Sequence, residues 1–417
     1  MPRIKIKGGN ILSGTIPVSG AKNSVVALIP AAILCDETAT ISNVPDITDV
    51  DDLENILIHL NAKIKRTTGK VEINSSDIIN KEITPELSKK LRASYYFMGA
   101  LLGKFKKVDM YFPGGCSIGE RPINLHLKGF EALGARITED DNHFIIEADN
   151  LKGSNIYLDF PSVGATINIM LAAVKAKGKT IIDNVSAEPE IVNVATFLNN
   201  MGAKIKGAGT NTITITGVKH LHKCFHEVIP DRIEAGTYLI LASLIGKDLK
   251  IDNIIPNHLE ALIAKLKESG VDMEVGIDNI IVKGNNKFKP LSIKTLPYPG
   301  FPTDLQQIMA TYMTQCKGNS TIEETIYENR FQNLYELEKM GATIKIRKDN
   351  RKAIIKGKTT LKGTNVNSTD LRGGASLVIA GLIAEGTTTI SNISYILRGY
   401  DKIIEKLTNV GAKIEII

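Results

Sequence analysis

Tryptophan is absent from all 417 residues, and aromatic residues make up only 5% of the chain. Basic residues exceed acidic ones enough to give a net charge of +6, yet no basic block is interleaved with aromatic side chains. A nucleic-acid surface built on stacking and phosphate contacts therefore finds no support. A cleft that draws in small polyanions fits the charge at least as well. No apolar stretch approaches the ~20 residues that span a bilayer, so membrane insertion is not expected. The start, Met1-Pro2-Arg3-Ile4-Lys5-Ile6-Lys7, leads directly into a strand-like alternation without an apolar leader, and a cytoplasmic location is expected. Cysteine is scarce as well. Cys35, Cys116, Cys224 and Cys316 lie far apart, with no CxxC or other metal spacing. Disulfides are not expected, and most of these thiols read as small buried hydrophobes. The run His220-Leu221-His222-Lys223-Cys224-Phe225-His226 lacks a carboxylate to complete a ligand set. It reads as a solvated strand edge or loop rather than a metal site.

What the chain has in abundance is repetition. Its length exceeds the size at which one hydrophobic core stops growing, so two domains are expected. A helical run, a turn and a strand recur six times: Leu60-Asn-Ala-Lys-Ile, Leu133-Gly-Ala-Arg-Ile, Met201-Gly-Ala-Lys-Ile, Ser269-Gly-Val-Asp-Met, Met340-Gly-Ala-Thr-Ile and Val410-Gly-Ala-Lys-Ile. The third positions fall at 62, 135, 203, 271, 342 and 412, a period near 70 across the whole chain. Glycine in five of the six copies suits the left-handed position that ends a helix. Helical runs rich in small residues keep the same period, starting near Ala21, Arg92, Val163, Arg232, Thr303 and Leu371. Small residues on nearly every face imply helices packed on several sides. Loops precede the amphipathic helices near Asn43, Pro113, Asn184, Asn253, Thr325 and Asn392. Each unit thus reads as buried helix, strands, loop, amphipathic helix, strand. Seventy residues is too long for a common solenoid repeat of ~20–45. Two globular domains of three units each are expected.

Four segments depart from the repeat. Ser19-Gly-Ala-Lys22-Asn23 places a lysine at a helix start, suited to phosphate or carboxylate, although an exposed lysine there would need no such role. Pro113-Gly-Gly-Cys116-Ser-Ile-Gly-Glu-Arg121-Pro122-Ile123-Asn124 is an extended Gly/Pro loop, where a nearby arginine favours a reactive thiolate. In Tyr298-Pro-Gly-Phe-Pro-Thr-Asp304, the aspartate of a first helical turn serves either the helix dipole or as a positioned base. Arg92, Arg121, Arg330, Arg372 and Arg398 lie at helix starts or in loops before helices, which suggests bidentate recognition of oxyanions.

Together these segments closely resemble the UDP-N-acetylglucosamine enolpyruvyl transferases. The resemblance spans the chain: SGAKN at 19–23, LRAS at 91–94, PGGCSIG at 113–119, RPINLH at 121–126, SVGAT at 162–166, EPEIV at 188–192, PDRIEAGT at 230–237, FPTDLQ at 301–306, ENRF at 328–331, TDLR at 369–372 and RGY at 398–400. It implies an inside-out α/β barrel, with two domains of three βαβαββ-type repeats each. The implied domains are 22–230, carrying the Cys116 loop, and 1–21 plus 231–417, with the active site in the cleft between them. It implies transfer of the enolpyruvyl group of phosphoenolpyruvate to the 3′-hydroxyl of UDP-N-acetylglucosamine, with release of phosphate. That is the first committed step of peptidoglycan synthesis, and it requires no metal or organic cofactor.

Residue by residue, the resemblance makes Cys116, Asp304 and Lys22 catalytic. Lys22, Asn23, Arg121, Arg330, Arg372 and Arg398 resemble the phosphoenolpyruvate contacts. Arg92, Arg121, Pro122, Ile123, Asn124, Leu125, Ser162, Val163, Gly164, Asp304 and Ile326 resemble the contacts to the sugar nucleotide. Cys116 resembles the loop cysteine that protonates the enolpyruvyl methylene carbon and is alkylated by fosfomycin. Three positions depart from the family: Leu397 stands for Asp, Asn124 for Asp, and Phe160 for Lys. The alternatives are a shikimate 3-phosphate enolpyruvyl transferase, which the PGGC and RPINLH segments oppose, and a weakly active sugar-nucleotide-binding paralogue, which Leu397 and Asn124 favour and the retained Lys22, Cys116 and Asp304 oppose.

Overall fold

The computed structural model describes residues 2–114, 118–119, 122–140, 142–284 and 287–417. They form two compact units, each with its own apolar core. One unit spans Gly20 to Ile229, except that Ile118 and Gly119 group with the other. That other unit joins the residues up to Ser19 to Pro230–Ile417.

Each unit contains three repeats, and each repeat begins on a helix buried nearly all round. In the first unit these helices are Lys22–Ala31, Tyr96–Phe105 and Val163–Ala173; in the second they are Arg232–Ile245, Thr303–Met313 and Leu371–Ile383. The starts agree closely with the small-residue runs in the sequence. Only the second differs, because Arg92–Tyr95 makes a tight 3₁₀ turn before the α-helix. Small side chains let the backbones approach. A Cβ at Gly99 would lie 2.3 Å from the Asn168 carbonyl oxygen, so no larger residue fits between those two helices.

The sheets lie outside these helices and share one plan. In the third repeat the central strand Lys179–Asp183 pairs in parallel with Asn155–Tyr157 and antiparallel with Thr212–Thr216, which pairs with the outer strand Lys204–Lys206. The strands alternate buried and solvent-facing residues, as a sheet with one wet face requires. The expected order of strands is corrected here: one strand precedes the loop, and a hairpin plus a short strand follow the amphipathic helix. The hairpins were missed because their polar turns read as loop. In the second repeat a lone parallel bridge, Ile83 to Met110, takes the place of the short strand. Three sheets are completed from a distance, the first repeat's by Cys224–Glu227, which pairs in parallel with Thr38–Ser42. Leu12–Pro17 supplies the parallel strand for Gly246–Asp252, and Ile4–Lys7 lies between Thr387–Ser391 and Lys413–Ile416.

The recurring glycines do what their spacing predicts. Gly134, Gly202, Gly270, Gly341 and Gly411 all have φ between +96° and +102° just past an amphipathic helix, and Asn61 takes the sixth place at +68°. The next residue then donates back across the turn, as Ala135 N–H does to the Phe130 carbonyl at 3.0 Å. A second corner is marked by asparagine. Asn43, Asn184, Asn253 and Asn392 adopt φ of 55–57° directly after a central strand. Three of them donate a side-chain N–H to the end of the neighbouring parallel strand, at Val228, Leu158 and Val18. Asparagine tolerates the left-handed region and carries its own donor.

His226 is also corrected. It belongs to the strand Cys224–Glu227 but faces inward, 5% exposed, hydrogen-bonded to Asn193 and Asn200. Cys35 and Cys316 are fully buried, as expected of small hydrophobes, while Cys224 is half-buried.

Candidate active site

In the second unit the three buried helices start close together, and the candidate residues sit on those starts. Asp304 is the second residue of Thr303–Met313, and Arg372 is the second of Leu371–Ile383. Arg372 Nη2 lies 3.4 Å from Asp304 Oδ2, and Arg330 Nη2 lies 2.7 Å from Asp304 Oδ1. Both guanidinium groups are buried, at 3% exposure for Arg330 and 2% for Arg372. Arg330 also donates from Nη1 to the Thr303 hydroxyl at 2.9 Å and lies over the Tyr327 ring; Arg372 lies over the Tyr400 ring. Burial opposes their charge, but the carboxylates of Asp304, Asp370 and Glu324 around Arg330, and Tyr400 with Asp304 and Asp231 around Arg372, outweigh it and raise both above the ordinary arginine value.

These arginines are not saturated. Arg330 Nε and Arg372 Nε and Nη1 are buried without a hydrogen-bond partner among the described residues. A fixed, buried cation with spare N–H donors suits an anion, and the nearby helix N-termini add positive potential. The surrounding carboxylates are committed elsewhere. Asp370 caps the helix Leu371–Ile383, accepting from the N–H groups of Arg372 and Gly373, and takes a third bond from Gln307 at 2.9 Å. Asp231 caps Arg232–Ile245 through the N–H groups of Ile233 and Glu234. Glu324, fully buried, receives the Thr295 and Thr303 hydroxyls and the N–H groups of Ile326 and Tyr327. Sequence reasoning missed Glu324 because its neighbour Glu323 is an ordinary exposed partner of Lys294, and nothing in the pair of glutamates marks which one turns inward.

In the first unit Lys22 and Asn23 open the helix Lys22–Ala31, with Lys22 Nζ 3.1 Å from the buried Asp49 carboxylate. Ser162 caps Val163–Ala173, its hydroxyl accepting from Ala165 N–H. Val163 and Gly164 are that helix's first residues. A Cβ at Gly164 would lie 2.8 Å from the Tyr95 hydroxyl and 3.1 Å from His126 Nε2, so both side chains crowd the helix start. Asn168 Nδ2 donates to His126 Nδ1 at 2.8 Å, which leaves Nε2 carrying the ring proton. Burial, helped by Arg92, pushes the His126 pKa down to about 3, so the ring is neutral. Arg92 itself lies over the Tyr95 ring and approaches the Pro113 carbonyl. His126 sits in the RPINLH motif but was not singled out, since histidine in a first helical turn carries no mark of burial.

Pro122 and Ile123 precede the helix Asn124–Ala132, with Asn124 and Leu125 its first residues. Ile326 is held by its N–H on Glu324, and Arg398 follows the short helix Ser394–Leu397. Cys116 and Arg121 lie outside the described residues. The structure therefore joins Asp304, Arg330 and Arg372 in one cluster, and gathers Arg92 and Gly164 around Tyr95 and His126 in another.

This chain matches the EPSP synthase (3-phosphoshikimate 1-carboxyvinyltransferase) family over residues 6–407. It belongs to the EPSP synthase family. Within it the more similar relatives carry a narrower name. The chain is 53% identical over 412 residues to the UDP-N-acetylglucosamine 1-carboxyvinyltransferase 2 of Listeria innocua, covering 99% of this chain and 97% of that one. It is 51% identical over 415 residues to the protein of the same name from Bacillus subtilis, covering 99% and 96%. Among solved structures it resembles the enolpyruvyl transferase NikO of Streptomyces tendae, with a TM-score of 0.90 at 25% identity over 100% of this chain and 98% of that one. An EPSP synthase from Acinetobacter baumannii shares the fold, with a TM-score of 0.76 at 19% identity over 100% of both chains. The inside-out α/β fold of this family is thus the fold of the chain.

Proposed function

We propose that the protein transfers the enolpyruvyl group of phosphoenolpyruvate to the 3′-hydroxyl of UDP-N-acetylglucosamine and releases phosphate, committing the sugar nucleotide to peptidoglycan. The observation that carries this reading over the shikimate 3-phosphate alternative is identity above one half, along nearly the full chain, to relatives named for the sugar-nucleotide reaction. The EPSP synthase likeness, at 19% identity, extends to the fold alone.

The reaction is addition followed by elimination. The sugar 3′-oxygen bonds to C2 of phosphoenolpyruvate and gives up its proton, while C3 gains one. The tetrahedral ketal then loses phosphate from C2 and a proton from C3, restoring the double bond. Arg330 and Arg372, together with Lys22, Asn23, Arg121 and Arg398, bind the phosphate and carboxylate of the donor as preorganised cations. Held in place by Arg330 and Arg372, Asp304 receives the proton of the 3′-hydroxyl. Cys116 delivers the proton to C3. Arg92, Arg121–Leu125, Ser162–Gly164 and Ile326 hold the nucleotide. The neutral His126 ring supports this role, because its Nε2–H offers a donor at a helix start already suited to a diphosphate.

No described helix is long and apolar enough to cross a membrane. A cytoplasmic location belongs to this proposal. The test is phosphate release from phosphoenolpyruvate with UDP-N-acetylglucosamine, set against shikimate 3-phosphate. Release with the sugar nucleotide alone is expected, and release with shikimate 3-phosphate alone would overturn the reading.

A further inference from the structure

We propose that Glu324 is a positioning residue for the reaction: its buried carboxylate orients the Thr303 hydroxyl, which holds Arg330 in place against Asp304. The inference rests on the proposed function. Glu324 has no exposed surface and, among the described residues, no basic group bonded to it directly; its four donors there are all neutral. A carboxylate so buried is costly unless its oxygens are fully hydrogen-bonded, so it also dictates where each donor points. The two oxygens divide the work. Oε1 accepts from the Thr295 hydroxyl at 2.9 Å and from the N–H groups of Ile326 and Tyr327 at 2.8 and 3.2 Å. Among the described residues Oε2 accepts only the Thr303 hydroxyl, at 2.9 Å.

A hydroxyl has one proton. With that proton fixed on Glu324, the lone pairs of Thr303 Oγ1 are left to accept Arg330 Nη1, at 2.9 Å. The same guanidinium then presents Nη2 to Asp304 at 2.7 Å. The order Glu324, Thr303, Arg330, Asp304 is a directed chain, with an acceptor-only group at one end and the proposed base at the other. Thr303 and Asp304 are also adjacent in the first turn of one helix, so a small shift at Thr303 moves the base as well.

Glutamine at 324 separates this role from a purely structural one. Its carbonyl oxygen can keep every bond made by Oε1, preserving the Ile326–Tyr327 loop, while its NH₂ faces Thr303 as a donor and removes the hydroxyl's acceptor. The experiment compares wild type, Glu324→Gln, Thr303→Val, Thr303→Ser and the Glu324→Gln/Thr303→Val double variant, by phosphate release, nucleotide binding and Tm. Loss of a charge-assisted bond predicts that Glu324→Gln and Thr303→Val each lower kcat/KM for phosphoenolpyruvate by about ten- to hundredfold. The double variant should be no worse than the poorer single one, because both cut the same chain. Thr303→Ser should stay near wild type in turnover and Tm, and nucleotide affinity should hardly move in any variant, whereas Thr303→Val, which strands Glu324 Oε2, should lower Tm. Unchanged kcat/KM in either single variant, multiplying effects in the double, or a serine variant as poor as the valine one would each overturn the inference. If Glu324→Gln fails to fold, the Thr303 pair decides by the same criteria. A wild type that releases no phosphate defeats the proposed function and this inference with it; normal wild-type turnover with unaltered variants defeats the inference alone.

Discussion

Arg372 Nη2 and Asp304 Oδ2 meet at 3.4 Å across 68 residues, one repeat length. Each is the second residue of its buried helix, and Asn23 and Gly164 hold the same place in Lys22–Ala31 and Val163–Ala173. Repetition thus brings one helical position to a common place within a unit, and chemistry is varied there by single residues. The ion pair also has a kinetic consequence. Asp304→Ala should lower kcat and kcat/KM together, on the order of 10²–10⁴-fold, while nucleotide affinity changes little. Steady-state phosphate release beside calorimetric titration of UDP-N-acetylglucosamine checks this. A near-normal kcat would leave Asp304 as a helix-start residue only.

Cys116 should be the only thiol that reacts with fosfomycin. Burial pushes the Cys224 thiol up to about 12 and that of Cys316 up to about 11, and raises that of Cys35, so these three are poor thiolates. Peptide mass mapping after fosfomycin treatment is expected to find the adduct on Cys116 alone. Cys116→Ser should cripple turnover, because a hydroxyl is a far weaker acid. Cys116→Asp should retain some turnover and lose fosfomycin sensitivity. Label on another cysteine, or full activity with serine, would contradict the assignment.

Acid should destabilise the unit that holds His126 and His226. Burial lowers their pKa values from 6.5 to about 3 and about 4, so the unfolded chain takes up protons that the folded one refuses. Stability is full above pH 6.5 and declines as pH falls toward 3, at up to about 1.4 kcal/mol per pH unit per histidine. Urea midpoints between pH 7 and pH 4 should fall, and His126→Gln should flatten the decline. A slope unaltered by the substitution would exclude this histidine as a source.

How much of this was legible in the sequence depends on whether a signal is local. Gly134 and its four counterparts announced their helix ends because a left-handed residue after a helix has a chemical signature. The asparagine corners were visible as loops, and the two repeats without one were those marked by Pro113-Gly-Gly-Cys116 and Thr325-Ile326. At the second of these, Thr325 donates its hydroxyl to the Thr295 carbonyl, doing for that corner what asparagine does elsewhere. Asp304, Arg330 and Arg372 were visible as candidates, but their meeting was not, since proximity across 26 and 68 residues is a property of helix packing. Glu324, Asp49 and His126 were not singled out. Their burial is decided by strand register or by partners that no short motif contains.

Lys406→Met should cost on the order of 3 kcal/mol near neutral pH, because it strands a buried carboxylate. Lys406 Nζ lies 2.6 Å from Glu234 Oε1 and 2.7 Å from the Ser19 hydroxyl. Burial raises the Glu234 pKa from 4.5 to about 6 despite the lysine. This carboxyl binds its proton more tightly when folded, so its contribution is full below pH 4.5 and is lost as pH rises through 6. The variant's deficit should therefore be greater at pH 8 than at pH 5, when much of Glu234 is already neutral. Tm at the two pH values checks it, and equal deficits would refute it.

The strands Ile4–Lys7 and Leu12–Pro17 give the chain an order of assembly. Gly20–Ile229 is nearly self-sufficient, and its last strand, Cys224–Glu227, completes the sheet of its first repeat. On a ribosome that half can close while the rest is still being made. The opening segment cannot, because Ile4 pairs with Ile390 and Ile416. At roughly 5–20 residues per second, the 188 residues from Pro230 to Ile417 take about 10–40 s to synthesise. For that interval Ile4–Lys7 waits unpaired, while Leu12–Pro17 waits only until Gly246–Asp252 has been made. The alternate lysines of Ile4–Lys7, Lys5 and Lys7, then help keep its open edge from pairing with the wrong chain.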